Sequence, residues 1–72
     1  MTKSVKHEAR AVLSAVGIAV NQDFNSLSQE QHAAVSSEAA EAYQRKHGNP
    51  MPADSATYIR KRYDLLQMRA RR

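Results

Sequence analysis

Residues 27–48 read LSQEQHAAVSSEAAEAYQRKHG, a single helix with both of its ends marked. Ser28 is the N-cap: its hydroxyl can accept from the free amide of Gln31, and the Gln31 side chain can reach back to the Ser28 amide, the reciprocal pair of a capping box. Glu30 lies in the first turn and Arg45, Lys46 and His47 in the last, so each sign of charge sits where the helix dipole favours it. Gly48 supplies the left-handed residue past the end. Asn49 and Pro50 follow; proline has no amide to donate and pushes the residue before it out of helical space, so the helix stops.

Val35, Ala39, Ala42 and Tyr43 recur at i, i+4, i+7 and i+8 and form one inner stripe. Most of it is alanine, so a neighbouring helix can come close, but each contact buries little area at roughly 25 cal/mol per Å² and the larger side chains must come from the partner. The opposite face, Glu30, Glu38, Glu41 and Arg45, reads as solvated surface, with Glu41 and Arg45 in the i to i+4 order that stabilises by roughly 0.2 to 0.5 kcal/mol.

The whole chain, 72 residues, is short enough to be one domain spanning 1–72, and a chain of this size buries about 60% of the surface its unfolded form exposes. It has no cysteine, which excludes disulfides and thiolate metal sites and suits a reducing, cytoplasmic location. No run approaches the ~20 apolar residues of a membrane span, and the start MTKSVKHEAR lacks the apolar core of a secretory signal. A net charge of +4 favours an acidic partner. That charge is uneven. Lys3, Lys6 and Arg10 face only Glu8 over residues 1–17, and Arg60, Lys61, Arg62, Arg69, Arg71 and Arg72 face Asp54 and Asp64 over 54–72; the middle is mildly acidic.

Outward from the central stretch, Val5, Ala9, Val12, Leu13 and Val16 fall at helical spacing and predict a first helix over Ser4 to Val16. Gly17 ends it; with Gly17 left-handed, Ile18 can touch Leu13 in a Schellman ending. Ile18 to Val20 has no second β-branched run to pair with and is expected as loop. NQDFNS, residues 21–26, is turn chemistry with Phe24 plugging the base of the core beside Leu27. GNPMPA, residues 48–53, sets a corner, after which Asp54 or Ser55 can cap a third helix over 55–70. There Ile59, Tyr63, Leu66 and Ala70 form one row and Tyr58, Arg62, Leu65 and Arg69 a second beside it, an apolar arc interrupted by arginines whose stems can cover apolar surface. The expectation is an all-α fold, a small three-helix domain with a basic C-terminal helix. Its expected core is Val5, Val12, Leu13, Val16, Ile18, Phe24, Leu27, Val35, Ala39, Tyr43, Ile59, Tyr63 and Leu66.

No catalytic constellation is readable. His7, His32 and His47 are 25 and 15 residues apart, without the close pairing with which one helix face grips zinc, and the serines lack a glycine-rich elbow or oxyanion signal. No enzyme activity, cofactor or metal is expected. The first helix has basic residues beside its apolar stripe, but the stripe is short, lacks aromatics and is needed to cover helix two, which argues against membrane binding. A helix-turn-helix needs a turn of about 3 to 4 residues, and GNPMPA is longer and holds two prolines.

The pattern that does point outward is the third helix, where Tyr58, Tyr63 and Met68 alternate with basic residues, the composition of a surface that meets phosphates or docks on a protein. Tyr58, Arg60, Lys61, Arg62, Leu65, Met68 and Arg69 are the candidate partner-binding residues. In size, absence of cysteine and alanine-rich helices the chain resembles the small regulators of bacteria and their phages, a likeness of composition alone. The expected function is a small regulator acting by stoichiometric binding to nucleic acid or to an acidic surface of a protein that handles it, such as transcription machinery. The alternative is a structural or assembly adaptor that docks a helix on a partner protein.

Overall fold

A computed structural model describes residues 5–72; Lys3 and the expected start of the first helix at Ser4 lie outside them. The described chain is all-α. It has α1 (Val5–Ala15), a single 3-10 turn (Phe24–Ser26), α2 (Gln29–His47) and α3 (Ala56–Arg71), with no strand among the described residues.

The element ends follow local chemistry. Ser28 Oγ accepts from the Gln31 amide at 3.1 Å and Gln31 Oε1 accepts from the Ser28 amide at 3.0 Å, closing the capping box. Gly17 has φ of +74° and Gly48 +76°, both in the left-handed region that glycine enters without steric cost. After α1 the Ile18 amide donates to Leu13 O at 2.9 Å and the Gly17 amide to Ser14 O at 3.0 Å, the double bond of a Schellman ending, and Ile18 joins Leu13 in the buried core. Ser55 stands at the N-cap of α3 but does not cap it: its hydroxyl donates backward to the carbonyl of Pro52, so the proline corner, rather than the helix, takes that side chain.

The helix that organises the packing is α3. Both α1 and α2 pack on it, and α1 does not serve as the cover of the alanine stripe of α2. Size explains this: α3 supplies Ile59, Tyr63 and Leu66, whereas α2 offers Val35 and alanines. The core joins Ala9, Leu13, Ile18, Val35, Tyr63, Leu66 and Ala70, with Val12, Val16, Phe24, Leu27 and Ile59 packed against it. Ala39 on α2 is fully buried as well, and two other expected core members fall elsewhere. Val5 is 42% exposed, on the first turn of α1. Tyr43 is half-buried in a separate aromatic cluster, its ring 4.3 Å from His47 and edge-to-face with Tyr58 at 5.2 Å.

Polar side chains join the elements at points that periodicity does not mark. Gln31, besides boxing α2, donates from Nε2 to the Val16 and Gly17 carbonyls at 3.1 and 3.2 Å and so satisfies the open end of α1. Gln67 is buried; its Nε2 donates to Ala19 O and to Tyr63 Oη, and its Oε1 accepts from the Asn21 amide at 2.7 Å. Tyr63 in turn donates to Gln22 O at 2.7 Å. Together they fasten the loop after α1 to α3. No buried side-chain polar atom among the described residues lacks a partner.

Candidate partner-binding groove

The second row of α3 becomes one wall of a groove. Tyr58, Lys61, Arg62, Leu65 and Arg69 face Ala42, Arg45 and Lys46 from the last turns of α2 across an open groove of about 470 Å³. It forms because Ala42, buried at the helix contact, keeps α2 close to α3 while the long side chains on either side rise around the gap. Five of its lining side chains are cationic and none is acidic. Tyr58 and Leu65, both half-buried, supply the apolar part of the floor.

One of those cations is internally paired. Arg62 donates from Nε and Nη2 to the two carboxylate oxygens of Glu38, both at 2.8 Å, with both side chains mostly buried. Glu38 is therefore not the solvated surface residue its helix position suggests. The hydrogen bond to Glu38 pushes the Arg62 guanidinium above the ordinary arginine range, outweighing the opposite effect of partial burial, so it stays charged. Arg45, Lys46, Lys61 and Arg69 have no ion pair among the described residues; Glu41 and Arg45, expected to pair along α2, do not come within bonding distance.

Two of the seven candidate residues lie outside the groove. Arg60 reaches Asp64 at 3.3 Å and lies 5.1 Å from the centroid of the Phe24 ring, on the face of α3 beside the 3-10 turn. Met68 is 41% exposed and lines no part of the groove. Conversely, Arg45 and Lys46 belong to the site although their position in the last turn of α2 marks them only as complements of the helix dipole.

Two cations near the C-terminal end of α3 hold the fold. Arg10 donates from Nε to the Ala70 carbonyl at 2.9 Å, capping the last turn of α3 from α1, and Arg71 donates to Asn21 Oδ1 at 3.1 Å. His32 packs against Phe24 and His47 against Tyr43. No group of three or more metal-capable side chains gathers among the described residues, and no helix there is long and apolar enough to cross a membrane. Compared with protein-family models, with curated proteins and with solved structures, the chain matches none.

Proposed function

We propose that the chain is a small non-enzymatic regulator that acts by stoichiometric binding, and that the groove between α2 and α3 is where it holds an anionic partner: nucleic acid, or a protein that handles it, such as transcription machinery. The observation that carries this reading is the convergence of Arg45, Lys46, Lys61 and Arg69 from two helices on one concave surface with Tyr58 and Leu65 at its floor. Like charges placed together without carboxylate partners repel one another and destabilise the free protein, a cost that an anionic occupant removes. Tyr58 and Leu65 also favour a second reading, an adaptor docked on a partner protein with no part in gene expression.

The test is a pull-down from an extract of the source cells, with and without nuclease. It uses the parent chain, Arg60→Gln, and a variant with Arg45, Lys46, Lys61 and Arg69 all changed to Gln. The parent and Arg60→Gln should retain the same partner and the fourfold variant should lose it. Equal capture by the fourfold variant would remove the groove from the account. A partner lost on nuclease treatment, with log affinity falling by about 0.9 per phosphate contacted as log salt rises, identifies nucleic acid. Nuclease-resistant capture of one polypeptide identifies a protein.

A further inference from the structure

Resting on that reading of the groove, we propose that its occupant is an acidic protein segment, which seats one aromatic or aliphatic side chain between Tyr58 and Leu65 and sets flanking carboxylates against Arg45, Lys46, Lys61 and Arg69. The distribution of the cations argues for this over a phosphate backbone. A nucleic acid carries one charge per ~3.4 Å of each strand and is held by a track of cations. Here three of the cations away from the groove are committed within the fold. Arg10 caps α3, Arg60 is bound to Asp64 over Phe24, and Arg71 is bound to Asn21.

Where the groove continues past Arg62 toward α1, the adjoining cleft sets Glu8, Glu38 and Glu41 among the shared Arg45, Arg62 and Arg69, so a strand leaving in that direction meets mixed charge and no further cations. The neighbouring clefts gather fewer cations than the five of the groove. The groove's volume of about 470 Å³ suits side chains, and Tyr58 and Leu65 give it an apolar contact surface that a phosphate does not use. A short segment with carboxylates around an apolar anchor matches both features: the anchor supplies burial in a desolvated centre, and the charges at the rim steer association and fix register.

The test is a titration of the isotope-labelled full chain, followed by NMR, with three defined probes. The first is a synthetic peptide of Asp and Glu carrying Phe and Leu one helical turn apart. The second is the same peptide with Phe and Leu replaced by Ser, and the third is a mixed-sequence DNA, tried as single strand and as duplex. The anchored peptide should shift the resonances of Tyr58, Leu65 and Arg69 and bind about tenfold more tightly than its Ser counterpart. Leu65→Ser should abolish that difference. Arg45→Glu and Lys61→Glu, both at exposed positions, should weaken both peptides. DNA binding in the groove more tightly than the anchored peptide overturns the acidic-segment assignment and leaves the groove as the binding site. Equal binding of the two peptides overturns it as well, since charge alone would then suffice. If no probe moves the groove resonances, the groove reading falls with it.

Discussion

Arg62 on α3 and Glu38 on α2 meet in a two-pronged ion pair, with both bonds at 2.8 Å, at the edge of the groove where the two helices cross. Removing either partner leaves a mostly buried charge alone, which costs more than removing both. A double-mutant cycle built from Glu38→Gln and Arg62→Met should give a coupling of about 1 to 2 kcal/mol by denaturant unfolding. The folded-state pKa of Arg62 is raised, so its contribution is fully present below the ordinary arginine range and is lost only as pH rises through the still higher folded value. The coupling should therefore stay constant between about pH 7 and about pH 9. A coupling indistinguishable from zero would mean the pair is incidental.

Gly17 and Gly48 test the helix ends. A Cβ on Gly17 would lie 3.8 Å from Gln31 Nε2, an ordinary contact, and one on Gly48 would meet nothing within 4 Å. The cost of alanine is thus the left-handed backbone itself, about 1 kcal/mol at each site. Melting temperature should fall in both variants. A rise in either would show that the helix can run through that residue.

Tyr63 and Gln67 hold the loop after α1. Tyr63→Phe removes only the hydroxyl between Gln22 O and Gln67 Nε2, and should cost about 1 to 2 kcal/mol. Gln67→Leu preserves volume but leaves the Asn21 amide unpaired and the Ala19 carbonyl with only the Gln22 amide as donor, and should cost about 1 to 3 kcal/mol. Hydrogen exchange of the Asn21 amide reads the same event locally. Unchanged protection in Gln67→Leu would show that the bond contributes little.

Leu13 and Tyr63 are among the largest fully buried side chains. Truncation to alanine typically costs about 2 to 5 kcal/mol, as much as the ~3 to 5 kcal/mol that a core of this size supplies, so Leu13→Ala and Tyr63→Ala should be largely unfolded at room temperature. Circular dichroism checks this; parent-like melting of either variant would place the core elsewhere.

What was legible in the residues was what is local. Ser28 with Gln31, Gly17 with Ile18, and Gly48 before Asn49 and Pro50 each act within one helical turn, so a short stretch of sequence contains the whole interaction. The row Tyr58, Arg62, Leu65 and Arg69 could be read as one face of α3 for the same reason, and it is the face that lines the groove. What escaped depends on pairing between elements. Nothing near Glu38 announces Arg62, which is 24 positions away, and nothing near Gln67 announces the Asn21 amide, 46 positions away. Likewise Arg60 and Lys61 are adjacent in sequence, yet Arg60 is drawn off to Asp64 and Phe24 while Lys61 lines the groove. The organising role of α3 was hidden because end signals are stronger in α2, whereas packing is decided by side-chain size.

Arg60 and Arg69 lie on one helix and lose the same charge when changed to Gln, but only Arg69 faces the groove. The direct measurement is the affinity of Arg60→Gln and of Arg69→Gln for the captured partner, by calorimetry at physiological salt. Loss of a contact to the partner should weaken Arg69→Gln about tenfold or more, and Arg60→Gln should stay within about twofold of the parent. Equal weakening of the two variants would mean that overall charge, rather than the groove between α2 and α3, holds the partner.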